Sequence, residues 1–260
     1  MVEFVYGHWP VMECLRAGRR KIEKLLLSDR VEEKGIVAEI ITTARERGVE
    51  VTRVNRRILD DVSNNANHQG TVLRVGEYPY VELDAILDHA RERGEKPFIL
   101  LLDLLQDPQN VGSLMRVSDA VGVHGIVMQD RRGVSVTGAV VAASSGAVEH
   151  LLVAQVTNLV AAMKKLKENN VWLVGLDIGP NVPPLGETDL NMGIGLVMGS
   201  EGEGMRRLVR DTCDLLVTLP MRGKVGSLNV ATAGSVALYA AWQARGWAGW
   251  VHARPSLPAP

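Results

Sequence analysis

Three short stretches place polar side chains and glycines at spacings suited to binding and chemistry. In the first, Asn110 is followed six residues later by Arg116, after a turn containing Gln106, Asp107 and Pro108. The second is Gly199-Ser200-Glu201-Gly202-Glu203-Gly204, directly behind the apolar run Leu196-Val197-Met198. The third runs from Leu219-Pro220-Met221 to Gly226-Ser227-Leu228-Asn229 and opens a long apolar segment. Glycines in such loops permit positive φ and let a ligand approach the main chain closely. Polar groups on turns at strand carboxyl ends serve function more often than packing.

Each stretch alone also has a plainer reading. The order G-x-x-G-x-G is not the G-x-G-x-x-G dinucleotide fingerprint, and no acidic ribose-binding residue follows at the usual distance. No G-x-x-x-x-G-K-[ST] phosphate loop occurs in the chain. A glycine cluster can simply be a turn. Asn110, Ser227 and Asn229 suit helix N-caps, and Arg116 suits a solvent-facing charge. What favours a site is the combination, because three strand-end loops of one parallel sheet can converge.

The elements that must position them form a βα alternation from residue 98 onward. Apolar runs predict strands at 98–103, 125–129, 151–155, 171–177, 194–199 and 215–219. Helices are expected at 111–121, 136–147, 157–169, 205–211 and 229–245. Such alternation argues for a largely parallel sheet covered on both faces. Ahead of it, residues 1–75 read as a compact α/β unit. It has a short helix at 10–17 stopped by Gly18, a strand at 24–28, a helix at 36–47 with apolar residues at 36, 37, 40, 41 and 44, a strand at 49–54, a short helix at 56–62 and a strand at 71–75. Residues 76–97, with an amphipathic helix at 83–93, are expected to be a linker between this domain and a second one at 98–250. The Pro-rich tail at 251–260 is expected to be disordered.

Composition narrows the function classes. With 46% hydrophobic residues there is ample core material, but no apolar run is long enough to span a membrane. The first residues lack a basic segment followed by an apolar one, so no secretory signal is expected. Cys14 and Cys213 cannot form a metal-binding Cys-x-x-Cys; a reduced state, a cytoplasmic location and no metal site are expected. The net charge of −1 does not announce a nucleic-acid binder. Local clusters can still provide one: Arg16, Arg19, Arg20, Lys21 and Lys24, and separately Arg53, Arg56 and Arg57, although each could equally be a solvated helix face.

At these residues the chain resembles the TrmH branch of the SPOUT superfamily. These enzymes methylate the ribose 2′-oxygen of RNA with S-adenosylmethionine. Asn110-x5-Arg116, Gly199 to Gly204, and Pro220 with Ser227-Leu228-Asn229 are similar to its three signature motifs, in the same order. Tyr6-Gly7-His8-Trp9-Pro10-Val11-Met12-Glu13 and Asn67-His68-Gln69-Gly70 resemble the N-terminal domain of the RlmB type, which modifies large-subunit ribosomal RNA. The resemblance covers nearly the whole chain. Leu219 stands where isoleucine is common, and Val117-Ser118 where threonine-alanine is usual; neither removes a polar group.

The resemblance implies a small ribosomal-protein-like substrate-binding domain followed by a SPOUT domain with a deep trefoil knot, which general topology rules would argue against. It implies Asn110, Arg116, Glu201, Ser227 and Asn229 at the active site. Met198, Gly199, Leu219, Met221 and Leu228 would hold the cofactor. Arg16, Arg19, Arg20, Lys21, His68 and Gln69 would meet RNA. It also implies a homodimer completing the site, and guanosine in ribosomal RNA as the target. The alternatives are a transfer-RNA ribose methyltransferase, an antibiotic-resistance ribosomal methyltransferase, and a non-catalytic RNA-binding assembly protein of the same fold.

Overall fold

A computed structural model describes residues 2–179 and 181–250; the expected tail at 251–260 lies outside the described residues. Two sheets organise the chain. The first has four strands, β1 (Val2–Tyr6), β2 (Ile22–Ser28), β3 (Glu50–Val54) and β4 (Thr71–Gly76), in the order β1-β4-β2-β3. β2 and β3 run parallel, and β4 is antiparallel to both of its neighbours. Helices α1 (His8–Ala17), α2 (Ile36–Glu46) and α3 (Arg56–Val62) complete this unit. The helical spacing in α2 works as read: Val37, Ile40, Ile41 and Ala44 are buried, and Gly48 turns left-handed just beyond the helix. β1 has no counterpart among the expected elements. Of its five residues only Val5 is buried, so the strand carries little apolar pattern and depends on pairing with β4.

The second sheet has six parallel strands in the order β10-β8-β9-β5-β6-β7. They are β5 (Phe98–Leu102), β6 (Gly125–Gln129), β7 (Val153–Val156), β8 (Trp172–Leu176), β9 (Ile194–Met198) and β10 (Leu215–Val217). Every residue of β5, β6 and β9 is buried, as befits strands covered on both faces. One face is packed by α5 (Pro108–Ala120), α6 (Gly138–Ala143) and α9 (Val230–Ala244). The other is packed by α4 (Leu83–Glu92), α7 (Leu159–Glu168) and α8 (Arg207–Thr212). Chain order reverses across β5 and β9, the place where α/β sheets bind ligands beyond their strand carboxyl ends.

The helix inside the expected linker is part of this second core: Ile86 of α4 is fully buried with Ile99 and Leu101, and its methyls fill the space beside Gly125. The single helix expected at 136–147 is broken. α6 stops at Ala143, Ser145 and Gly146 take left-handed conformations (φ 54° and 87°), and a 3-10 turn follows at Ala147–His150.

That break is where the two units meet. Arg20, expected at an RNA surface, is buried there: its Nε donates to Glu149 Oε2 (3.0 Å), and Nη2 lies 2.9 Å from Oε1. Its Nη1 reaches Glu3. Arg19 is half-buried and bonds the Leu151 carbonyl. Tyr78 donates its hydroxyl to Leu151 O (2.6 Å), and burial pushes that phenol up to about 12, keeping it a donor. His68 is also buried rather than RNA-facing. Its Nε2 bonds Asp60 (2.9 Å) and its Nδ1 accepts from Gly70 N (2.9 Å), so it shapes the turn before β4. Arg16 is exposed but paired with Glu13; Lys21 and Gln69 are exposed.

Candidate active site

The carboxyl end of β9 sets the floor. Gly199 follows Met198 and is pressed against the returning loop: a Cβ there would lie 2.1 Å from Gly204 C and Met205 N. Ser200 and Gly204 close the loop with paired backbone bonds of 3.1 and 3.0 Å. Gly202 and Gly204, at φ 86° and 71°, make the return, which any Cβ would strain. The loop's far side is moored to β5: Asp103 is fully buried and accepts from Arg206 N and Arg206 Nε, both at 2.8 Å. Neither Asp103 nor Arg206 is among the expected site residues. An acidic residue straight after five apolar strand residues was the available signal.

Three of the expected active-site residues form a chain of hydrogen bonds. Asn110 Nδ2 donates to the Glu201 carboxylate at the loop tip. Asn229 Nδ2 donates to Asn110 Oδ1 (2.9 Å). Asn229 Oδ1 accepts from Ala231 N (2.9 Å) and Thr232 N (3.3 Å), so it also caps α9. Each residue comes from a different motif, and each bond fixes one amide's orientation. The N-cap of α5 is Asp107, which accepts from Gln109 N (3.0 Å), so Asn110 is free to bridge.

Beside this chain lies a cleft of about 1020 Å³. Met198, Gly199, Glu201, Leu219, Met221, Ser227, Leu228 and Asn229 all line it, which brings every expected cofactor residue together with three of the expected catalytic ones. Leu176, Asp177 and Ile178, at the carboxyl end of β8, line it too and are not among the expected residues. Asp177 is fixed by Arg210 Nε at 2.6 Å. The walls are mainly apolar side chains and glycine-rich main chain, the surface that a ring system and an aliphatic chain need.

Arg116 stands apart. It lies six residues beyond Asn110 on α5, which turns its side chain by about 240° around the helix and moves it about 9 Å along it. It is exposed, does not line the cleft, and donates from Nη1 to Ser145 Oγ (3.0 Å). Glu201 bonds Asn110 and not Arg116.

A parallel α/β domain with a glycine-walled cleft at its strand carboxyl ends, preceded by a small mixed-sheet unit, defines an α/β protein with a ligand-sized cleft. Residues 97–239 match the SpoU rRNA methylase family, and residues 4–81 match the family described as RNA 2′-O ribose methyltransferase substrate binding. The chain belongs to the SpoU methylase family. It is 43% identical over 243 residues to the YacO protein of Bacillus subtilis, named as a TrmH family tRNA/rRNA methyltransferase, covering 94% of this chain and 96% of that one. A TrmH family tRNA/rRNA methyltransferase by name from Staphylococcus aureus is 36% identical over 241 residues, 93% and 96% of the two chains. Among solved structures, the SpoU methyltransferase AviRb of Streptomyces viridochromogenes, in complex with the cofactor AdoMet, superposes with a TM-score of 0.77 at 25% identity, covering 95% of this chain and 91% of that one. Among the described residues no helix is long and apolar enough to cross a membrane.

Proposed function

We propose that this protein methylates the ribose 2′-hydroxyl of a guanosine in large-subunit ribosomal RNA, with S-adenosylmethionine as donor, as a cytoplasmic homodimer. The observation that carries the reading is the Glu201–Asn110–Asn229 chain, which joins all three motifs at the mouth of one cleft. Family membership supports RNA as the substrate, and the domain at residues 4–81 supports its capture apart from the cleft. The ribosomal target rests on the RlmB-type N-terminal motifs, and guanosine on the resemblance to that subfamily and on no residue of this chain. A trefoil knot is part of the same reading: the 219–229 segment would pass through a loop of the chain before α9.

The cleft fits the donor. Its volume is ample, Met198, Leu219, Met221 and Leu228 offer apolar contact, and the Gly199 crevice exposes main chain that a side chain would cover. Bound S-adenosylmethionine supplies a methyl already activated on a sulfonium. The protein must then align a ribose hydroxyl with that carbon and manage one proton. Alignment of bound reactants is worth roughly 7–11 kcal/mol of barrier. Asn110, Asn229 and Glu201 hold the mouth of the cleft rigid, and Ser227 offers a hydroxyl to the ribose. As the oxygen gains the methyl it loses its proton. Arg116 eases that loss by its positive charge, and the proton passes to solvent water.

Arg116 lies outside the cleft lining of its own chain, which supports a dimer in which a second copy completes the site. Exposed Val236 and Tyr239 on α9 are suited to such a contact.

The test is methyl transfer from labelled S-adenosylmethionine to unmodified large-subunit ribosomal RNA and, in parallel, to bulk transfer RNA. Product from ribosomal RNA alone is expected. Product from transfer RNA alone overturns the substrate. Arg116→Ala is expected to abolish turnover and leave cofactor affinity intact; equal loss of both would remove Arg116 from the catalytic role.

A further inference from the structure

Arg116 is held from the seam between the two domains. Its Nη1 donates to Ser145 Oγ at 3.0 Å. Ser145 is not placed there by a regular helix. It sits at φ 54°, a conformation that non-glycine residues adopt uncommonly, and Gly146 follows at φ 87°. These two left-handed residues end α6 and lift the Ser145 backbone out of the helical path.

Contacts on both sides account for the shape of this turn. On one side, Gly112 of α5 is packed so closely that a Cβ would come within 2.4 Å of Ala143 Cβ and 2.9 Å of Ser144 N. On the other, a Cβ on Gly146 would come within 2.7 Å of Glu13 Cβ and 3.1 Å of Pro10 Cα, both on α1 of the N-terminal domain. Glu13 also holds His150 at 2.8 Å, and Arg20 holds Glu149. The turn is therefore wedged between the helix carrying Arg116 and the first helix of the RNA-binding domain.

We infer that Ser145 is a positioning residue for Arg116, and that the docked N-terminal domain clamps it through Pro10 and Glu13. The inference rests on the reading of Arg116 as the group that meets the reacting ribose. Displacement of α1 would shift the turn, and the turn carries the acceptor that orients the guanidinium. A fixed guanidinium is expected to speed the chemical step and not cofactor capture, because Ser145 does not line the cleft.

The test is a set of variants of the full-length protein, with single-turnover methyl transfer to ribosomal RNA and cofactor titration measured on each. Ser145→Gly keeps the left-handed backbone at no steric cost and removes the side chain with its hydroxyl. It is expected to lower the methyl-transfer rate about tenfold, the effect of one lost bond to a charged group. Cofactor Kd and melting temperature should stay at wild-type values. In an Arg116→Lys background, which moves the donor, the same change is expected to have little further effect. Glu13→Ala, on the other domain, is expected to slow transfer about threefold, and less than multiplicatively when combined with Ser145→Gly. A Ser145→Gly rate equal to wild type, or a loss that is fully multiplicative with Arg116→Lys, overturns the inference. If the wild-type protein itself transfers no methyl to RNA, the fault lies in the functional reading instead.

Discussion

Gly199→Ala is the smallest change that should empty the cleft. The added methyl would sit 2.1 Å from Gly204 C and Met205 N, where ordinary contact begins near 3.4 Å, so one side must give by about 1.3 Å. The strand cannot move: Met198 O accepts from Asp103 N (2.8 Å), and β9 is locked between β5 and β8. The 200–205 loop must move instead, and it is tied to Asp103 through Arg206 and to Asn110 through Glu201. Overpacking of this kind typically costs 1–3 kcal/mol. If that cost falls on the cofactor-bound loop, affinity drops by about 5- to 150-fold. Calorimetric titration of S-adenosylmethionine reads the change directly, with thermal unfolding to show that the core survives. Two controls separate sterics from glycine content. Gly223→Ala meets open space outside the cleft lining, at a φ that is not left-handed, and should bind like wild type. Gly202→Ala also meets open space but must hold φ 86°, so a loss nearer one kcal/mol is expected. A Gly199→Ala Kd within twofold of wild type would refute the argument that this glycine shapes the cleft.

Other expectations follow from the same geometry. Asn229→Ala removes an N-cap worth about 1 kcal/mol and the bond to Asn110, so weaker cofactor binding and faster hydrogen exchange in the first turn of α9 are expected. Glu149→Ala leaves the buried Arg20 with Glu3 as its remaining charge partner and should cost about 1–3 kcal/mol in urea unfolding, less than the same change made together with Glu3→Ala. Burial already pushes the Glu149 carboxyl up, with Arg20 pulling it back, so the single Arg20→Met change should push it further up, which a pH titration of unfolding would show. The Glu13–His150 pair should give a pH-dependent stability. The hydrogen bond raises the imidazole above 6.5 and, acting first, lowers the carboxyl below 4.5. The histidine's contribution is complete below 6.5 and fades as pH rises through its folded value; the carboxylate's is complete above 4.5 and fades in acid. The difference in unfolding free energy between wild type and His150→Gln should therefore be largest between those limits and shrink as the imidazole loses its proton at higher pH; with both groups partly exposed it should stay under about 1 kcal/mol.

The sequence was most legible where one local rule fixes the outcome. Apolar periodicity located α2, and α3 begins and ends where read, because burial there is one-sided. The glycines of 199–204 marked the loop because their backbone demands are local. Residues whose role depends on a distant partner were not legible. Arg20 read as a surface charge by type, and His68 as an RNA contact by resemblance. Only the approach of Glu149, 129 residues away, and of Asp60 across a turn, makes them interior. The break at Ser145 was hidden for the same reason: the segment is helical in composition, and the approach of α1 lies outside any sequence window. Asn110 looked like a cap because its neighbour Asp107 could not be preferred without seeing which side chain folds back. Arg116 was correctly set on α5, but the pattern did not show that it leaves the cleft.

The measurement that bears most directly on the central claim is the position of the transferred methyl. Purified protein, isotopically labelled S-adenosylmethionine and unmodified large-subunit ribosomal RNA are reacted for one turnover, the RNA is digested to nucleosides, and fragmentation mass spectrometry assigns the label to base or ribose. Label on the ribose of a guanosine, lost in Asn110→Ala and Arg116→Ala, is the expected result. Label on a base, or no transfer by a protein that binds the cofactor and the RNA, would contradict the account.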